Sequence, residues 1–299
     1  MDEQAIPEVK AHLWRTHDLV LEDVRLRMTR GGTGSPVLLL HGLTDAGTTW
    51  LEVAATLAGA HDVIVLDQRG HGKSSAPHAR YAIADFVADA AAVISALDIA
   101  PAAVVGHSLG GLIALYLAAA HPYLVSRLVM EDPPLPAEWL TDDASPDEVN
   151  AAREAWFASV VEIRSMSPDQ RQAHIRNRSP HWSPEAYVAW AESKLSMSPR
   201  LWKPGGVDLR GDWRAALREV HCPTLLIRGD AELGSLVNEA REREVLSLVP
   251  HAHAAHVRGA SHAIHRDTAS EYLDLVVPFL SGLTLETGAA NPPGRHAPG

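Results

Sequence analysis

A strand-to-helix turn around one serine constrains the fold of this chain more than any other stretch. The apolar run Ala102–Val105 leads into Gly-His-Ser-Leu-Gly at 106–110, and a segment rich in Leu and Ala follows at 112–120. Glycines on both sides of the serine allow a turn so tight that a Cβ would collide with the neighbouring strand or helix. Such a turn exposes the serine hydroxyl in front of free N–H groups at the start of the helix. The pattern predicts that Ser108 is a nucleophile.

Apolar runs alternate with helical segments on both sides of this turn. The continuous runs Val37–Leu40, Val63–Leu66 and Thr224–Ile227 are typical of strands buried on both faces of a parallel sheet. Residues 11–30 predict two further strands, and helical segments separate the later ones. The remaining predicted strands are at 102–105, 127–130 and 252–257, and the main helices at 49–58, 84–97, 112–120, 239–248 and 270–280. We therefore predict an α/β fold with a mostly parallel, eight-stranded, doubly wound sheet.

The pattern changes in residues 135–220, where strand-like runs vanish and prolines become frequent. We predict a helical cap there, inserted between core segments 1–134 and 221–283, and a disordered tail at 284–299. Most tryptophans of the insertion are interpreted as its core, with one or two facing the serine as an apolar wall. They are Trp139, Trp156, Trp182, Trp190, Trp202 and Trp213. Three basic residues are interpreted as solvent-exposed, although each could meet a substrate carboxylate: Arg153, Arg164 and Lys194.

Composition excludes several classes of partner. The chain has 299 residues and a formal net charge of −11, with no block of Lys or Arg, so neither nucleic acid nor an anionic membrane is an expected partner. Its one cysteine, Cys222, rules out an intrachain disulfide. The N-terminus is acidic and has no apolar segment, so we predict no signal peptide. The chain has no run of about 18 apolar residues, so we predict no membrane span. We expect a cytoplasmic monomer or homodimer.

Four motifs in order resemble the α/β-hydrolase family. They are His41-Gly42 after the third strand, Asp67-x-Arg69-Gly70-x-Gly72-x-Ser74 after the fourth, the Ser108 turn, and Gly259-Ala260-Ser261-His262. The match covers roughly 20–134 and 220–282, and it implies that Ser108 acts with His262 as its base. It also implies an oxyanion hole made by the backbone N–H groups of Leu43 and Leu109. We interpret His41, Asp67 and Arg69 as residues that brace loops, and His265 as a neighbour that could compete with His262.

The acid that orients the base has three candidates. Asp230 lies nearest the end of the strand at 224–227 and is the residue that we predict. The usual Gly-x-x-Asp register of the family falls on Glu232 instead. A branch that resembles haloalkane dehalogenases and some lactonases takes its acid from the end of the sixth strand, where Glu131 and Asp132 stand; Glu131 is our candidate there.

These residues predict a serine hydrolase that cleaves a small-molecule carboxylic ester through an acyl-enzyme, without a cofactor. The loop Gly-Asp-x-Glu-Leu-Gly at 229–234 and the helical insertion resemble monoalkyl phthalate esterases, which makes such a monoester a candidate substrate. Alternatives are a carbon–carbon bond hydrolase or a lactonase with the same triad, and, from another class, a non-catalytic receptor for a small ligand. His251, His253 and His256 have strand spacing but no suitable carboxylate or thiolate nearby, so no metal site is predicted.

Overall fold

The computed structural model describes residues 14–78, 81–135, 146–201 and 206–283. Its centre is one sheet of eight strands in the order β1-β2-β4-β3-β5-β6-β7-β8. The strands are β1 (Arg15–Val20), β2 (Arg25–Gly32), β3 (Ser35–Leu40), β4 (His61–Asp67), β5 (Ala102–His107), β6 (Val125–Glu131), β7 (Thr224–Arg228) and β8 (Ala252–His256). β1 and β2 pair antiparallel, and β3 to β8 are parallel to one another. The predicted fold class is confirmed.

Helices cover both faces of this sheet. The helices that the structure describes are α1 (Leu51–Leu57), α2 (Ile83–Ala96), α3 (Leu109–Ala120), α4 (Pro146–Ser165), α5 (Pro168–Arg178), α6 (Pro184–Ser196), α7 (Trp213–Arg218), α8 (Glu239–Leu248), α9 (Ile264–Asp267) and α10 (Ala269–Leu280). Alternate strand residues enter two separate apolar layers: Leu38 and Leu40 pack with α2 and α3, while Val37 and Leu39 pack with α1 and α10. No helix in the described parts of the chain combines the length and apolar character needed to cross a bilayer.

Four helices, α4 to α7, lie between β6 and β7 in the described residues, and we call the first three, α4 to α6, the helical insertion. Pro168 and Pro184 are the first residues of α5 and α6, where a missing N–H costs no hydrogen bond. Ser167 and Ser183 cap these two helices by accepting backbone N–H groups. These two prolines therefore start helices, as Pro146 does for α4, whereas Pro180 and Pro199 lie in turns. The predicted disordered tail at 284–299 lies outside the described residues.

A buried link precedes the insertion. Asp132, Pro133, Pro134 and Leu135 follow β6 and are all buried. The N–H of Leu135 donates to the carbonyl of Pro133 at 2.9 Å. Pro133 Cβ lies 3.2 Å from the point where a Cβ on Gly111 would stand, so this link packs directly against the start of α3.

Two glycines make the turn between β5 and α3 possible. A Cβ on Gly106 would lie 2.1 Å from the carbonyl oxygen of Gly110, and a Cβ on Gly110 would lie 2.1 Å from that of Leu40. Both obstacles are backbone atoms of the central sheet and helix, which cannot move aside as a flexible side chain would.

We therefore expect Gly110→Val to lower the free energy of unfolding by about 3 kcal/mol and to damage activity as well. Chemical denaturation measures the loss. Gly59→Val is the control, because Gly59 is exposed and an added Cβ would meet only the carbonyl oxygen of Thr56, at 3.2 Å. Equal stability of the two variants would contradict the packing described for the turn.

Candidate active site

Ser108 occupies a strained position between β5 and α3. Its backbone has φ 52° and ψ −118°, a left-handed conformation that few non-glycine residues adopt. Two hydrogen bonds fix it: its N–H donates to the carbonyl of Glu131 at 2.8 Å, and its carbonyl accepts the N–H of Leu112 at 3.1 Å. The first of these bonds ties the serine to the end of β6, the neighbouring strand.

His262 lies in the loop between β8 and α9 and is held by a carboxylate from the end of β6. Its Nδ1 is 2.6 Å from Oδ2 of Asp132, which is completely buried. The imidazole itself is about one-third exposed. Because the Nδ1–H group donates a hydrogen bond to Asp132, Nε2 is the nitrogen that can accept a proton.

A set of donors from the loop after β7 surrounds the Asp132 carboxylate. The hydroxyl of Ser235 donates to Oδ1 at 2.7 Å, and the N–H of Val237 donates to the same oxygen at 2.8 Å. The N–H of Leu236 donates to Oδ2 at 2.8 Å. With His262, four donors satisfy this buried carboxylate, which offsets the cost of removing it from water.

Our prediction that Asp230 partners His262 does not match these contacts. Asp230 Oδ1 lies 2.6 Å from His256 Nε2, and Oδ2 accepts the N–H of Gly259 at 2.7 Å. The Gly259 N–H holds the pKa of the Asp230 carboxyl below its usual range. The physical reason is reach: Asp230 faces the beginning of the loop after β8, whereas His262 lies near the end of that loop.

The two glutamate candidates do not contact His262 either. Glu131 is the last residue of β6, and successive strand residues point to opposite faces. Its carboxylate is completely buried beside His265. The backbone N–H of His265 donates to Oε1, and the His265 Nδ1 is 2.9 Å from both carboxylate oxygens. Burial raises the pKa of Glu131 to about 7. Glu232 is exposed in a short turn after β7.

His265, the possible competitor of His262, is also buried. Its ring stacks on Trp50 with 4.1 Å between the ring centroids, and burial lowers its pKa well below the usual range. Glu131 and His265 thus form a separate internal pair, whereas the imidazole of His262 is about one-third exposed.

The two predicted oxyanion donors are both buried. Leu109 is the first residue of α3, and Leu43 lies in the loop after β3. Within the described residues, neither N–H has a hydrogen-bond acceptor. His71 Nε2 lies 2.6 Å from the carbonyl oxygen of Leu43 and fixes that peptide.

The residues interpreted as braces hold the surrounding loops. His41 Nδ1 lies 2.8 Å from the carbonyl oxygen of Gly42, and its Nε2 accepts the N–H of Gln68 at 3.1 Å. Burial lowers the pKa of His41 to about 4, so the ring stays neutral and keeps both bonds. Arg69 forms a buried two-bond pair with Asp89, and Asp67 accepts the backbone N–H groups of Gly47 and Lys73.

A family model described as alpha/beta hydrolase fold matches residues 35–233. The chain belongs to this family. A 2-(acetamidomethylene)succinate hydrolase from Mesorhizobium japonicum is 28% identical over 269 residues, which cover 86% of this chain and 92% of that protein. A crystal structure of E-2-(acetamidomethylene)succinate hydrolase superposes with a TM-score of 0.72 at 25% identity, over 90% of this chain and 99% of the other.

A second relative matches more strongly but over a shorter part of this alpha/beta hydrolase. An uncharacterized protein of Mycobacterium tuberculosis is 37% identical over 131 residues, which is 41% of this chain. The match spans only 38% of the length of that relative.

Two basic side chains of the helical insertion that were predicted to be solvent-exposed make hydrogen bonds in this alpha/beta hydrolase, and one of them binds a loop near Ser108. Lys194 is 4% exposed and binds the loop after β3. Arg164 donates to backbone carbonyls at the end of α6, that of Lys194 among them. Arg153 and the side chain of Trp156 lie outside the described residues, as do Trp139 and Trp202.

The tryptophans that the structure describes are mostly core residues, as predicted. Trp182 and Trp190 pack with Ile163, Ile175 and Tyr187, and this cluster touches Ala263, next to His262. Trp182 Nε1 also donates to Asp267 in α9 at 2.7 Å. Trp213 is buried in α7, against the main core.

Sequence reasoning missed Asp132, Ser235, Lys194 and Asp45 as parts of this site. Asp132 carried one signal: it stands at the end of a buried strand, where polar residues meet ligands in open α/β sheets. The partners of Lys194 lie about 150 residues away in the chain, so no local pattern could have found them. Among the described residues, no three His, Cys, Asp or Glu side chains come together as metal ligands.

Proposed function

We propose that this alpha/beta hydrolase cleaves a small carboxylic ester through an acyl-enzyme on Ser108, with His262 as general base and Asp132 as the acid that orients it. One observation carries the proposal: the 2.6 Å contact between His262 Nδ1 and Asp132 directs the other imidazole nitrogen away from the carboxylate. The His262 ring centroid lies 4.7 Å from that of His107, the residue before the serine, and the serine is held in the strained turn that such nucleophiles occupy.

The reaction has two stages. Ser108 Oγ attacks the ester carbonyl while His262 Nε2 takes its proton, and the oxyanion accepts the N–H groups of Leu43 and Leu109. His262 then gives that proton to the leaving alcohol. Water, deprotonated by His262, attacks the acyl-enzyme, and His262 returns this proton to Ser108 Oγ as the carboxylic acid leaves. Asp132 stabilises the imidazolium that forms in each stage and stays ionised.

The helical insertion serves in this proposal as the roof of the substrate pocket. Its cluster of Trp182 and Trp190 reaches Ala263, next to the base, so apolar surface adjoins the reacting groups. Such a wall favours an uncharged acyl or alcohol group. The monoalkyl phthalate monoester predicted from sequence combines an apolar ring with a carboxylate and remains one candidate.

A second candidate substrate comes from the relative that spans nearly the whole chain. That protein is named for hydrolysis of 2-(acetamidomethylene)succinate, a substituted succinate that carries an acetamido group. The matched length, 86% of this chain and 92% of that protein, makes an acylamino-substituted diacid the alternative to a simple ester. Carbon–carbon bond or lactone cleavage with the same residues remains a further alternative from the sequence.

The test is a comparison of substrates with one enzyme preparation. We expect p-nitrophenyl acetate and butyrate to give a burst of nitrophenol followed by steady turnover, because the acyl-enzyme accumulates when deacylation is slower. kcat/KM is then ranked over these esters, monoethyl phthalate, a γ-lactone and 2-(acetamidomethylene)succinate. A highest value for the succinate would favour the second candidate. Absence of turnover on every substrate, with saturable binding of one of them, would favour a receptor and contradict the proposal.

A further inference from the structure

Lys194, in α6 of the helical insertion, uses all three of its N–H donors on the loop that follows β3. Nζ donates to the carbonyl of Thr44 at 2.8 Å, to the Thr44 hydroxyl at 2.9 Å and to Asp45 Oδ1 at 3.0 Å. The neighbouring Ser193 hydroxyl lies 3.2 Å from the same Thr44 carbonyl. The insertion therefore holds the two residues that directly follow Leu43.

Burying the two charged groups of this contact costs free energy that apolar packing would not cost. Lys194 and Asp45 have side chains only 5% and 4% exposed. Burial lowers the pKa of Lys194 against the attraction of Asp45. Burial alone would raise the pKa of Asp45, but Arg266 and Lys194 hold it well below its usual range. Apolar side chains of similar volume would fill the space without this desolvation cost. The buried charges therefore point to a role in fixing geometry.

Asp45 connects this loop to the other two parts of the site. Its Oδ2 accepts Arg266 Nη1 at 3.1 Å and lies 3.5 Å from His107 Nδ1. Arg266 belongs to α9, four residues after the base, and His107 precedes the nucleophile. The other ring nitrogen of His107 lies 2.9 Å from the carbonyl oxygen of His262. One carboxylate thus joins the loop after β3, the serine turn and the loop of the base.

We propose that Lys194 is a positioning residue that holds the Leu43 N–H in line with the oxyanion, so that the oxyanion hole is complete only when the helical insertion is docked. This inference rests on the proposed function, because it assigns the Leu43 N–H to the tetrahedral intermediate. Lys194 itself has no N–H left for substrate, and its effect passes through Thr44 and Asp45.

Two replacements of Lys194 test this role. Lys194→Met keeps the stem but has no donor, and we expect kcat for p-nitrophenyl acetate to fall about 10- to 100-fold, less than the loss of a whole oxyanion donor. KM should change by less than about two-fold, because the ground-state ester does not depend on the oxyanion hole. Lys194→Gln keeps an N–H donor and should recover part of kcat.

Inhibitor binding distinguishes a role of Lys194 in positioning the oxyanion hole from a role in stability alone. A boronic acid that forms a tetrahedral adduct with Ser108 should bind Lys194→Met more weakly by about the same factor as kcat. Acetate, the planar product, should bind both proteins equally.

Arg171→Met is the matched control. Arg171 is a buried cation of the same insertion, 7% exposed, that donates to backbone carbonyls within the insertion at Ile163, Arg164 and Met166. Its loss should lower the melting temperature but leave kcat and boronate affinity near wild type. An equal loss of both quantities in Arg171→Met and Lys194→Met would overturn the inference, since the insertion would then act only through its stability.

A milder variant covers the case in which Lys194→Met does not fold. Thr44→Val removes one acceptor of Lys194 and leaves its pair with Asp45 intact, so kcat and boronate affinity should fall together, by a smaller factor. Unchanged values of both in this variant and in a folded Lys194→Gln would overturn the inference. Ser108→Ala tells the two proposals apart: an active alanine variant refutes the proposed function, whereas an inactive one beside a fully active Lys194→Met refutes only the positioning role.

Discussion

Asp132→Asn is expected to lose about 10⁴-fold in kcat on an ester substrate. An amide cannot stabilise the imidazolium of His262, and its NH2 group can hold the ring in the wrong tautomer. Whichever oxygen the NH2 group replaces, it faces one backbone N–H that now donates to the carboxylate, that of Leu236 at Oδ2 or that of Val237 at Oδ1. A stability loss of about 1–3 kcal/mol should accompany the kinetic effect. Steady-state kinetics and chemical denaturation measure the two separately.

The other carboxylates provide the comparison. Asp230→Asn keeps the side-chain size and one acceptor oxygen but loses the charge that faces His256 and the Gly259 N–H. We expect it to keep kcat within a few-fold of wild type and to lose about 1 kcal/mol of stability or less. Glu131→Gln and Glu232→Gln should also retain catalysis. An inactive Asp230→Asn beside an active Asp132→Asn would show that the working enzyme does not use the pair seen here.

Ser108→Ala should lose at least about 10⁴-fold in kcat while remaining folded. The replacement removes one hydroxyl, and the left-handed backbone at φ 52° costs alanine about as much as it costs serine. The turn depends instead on Gly106 and Gly110, which are unchanged.

Three measurements check the Ser108 prediction: kcat, the melting temperature, and covalent labelling by a fluorophosphonate. Wild type should take up one equivalent of label and the alanine variant none, with melting temperatures close to each other. A variant that keeps a tenth of wild-type activity would place the nucleophile elsewhere.

The sequence alone was enough to predict the sheet and the serine turn. Runs such as Val37–Leu40 are apolar at every position because both faces of the strand are covered, and short strands exposed on one face do not show that pattern. The turn at Ser108 is likewise local: its glycines lie within four residues of each other and meet backbone atoms that any such turn must bring close. These features depend on neighbours in sequence, so sequence predicts them.

The carboxylate that contacts His262 was not predicted because its identity depends on a backbone angle. Glu131 and Asp132 are adjacent, and Asp132 takes φ 43°, which directs its carboxylate to His262 while Glu131 points to the opposite face. Composition does not encode this difference. Asp230 offered the expected residue type at the expected strand end, but its carboxylate is already bound to His256 and Gly259.

Lys194 was misjudged for a related reason. A lysine on a helix of an insertion is ordinarily exposed, and only the docking of α6 against the loop after β3 buries it. Because Lys194 and Asp45 are far apart in sequence and neither belongs to a motif, their pairing becomes visible only in three dimensions.

The buried Pro133-Pro134 link has a consequence for how this scaffold can change its substrate. Each proline ring fixes one backbone angle, and Pro133 packs on the first turn of α3, so the chain leaves the acid in a stiff and anchored form. We therefore expect that changes in the length of the segment after Leu135 would not displace the carboxylate of Asp132. Selectivity and reactivity become separable properties of one polypeptide, and redesign of the roof can start after Leu135 with the reacting groups left in place.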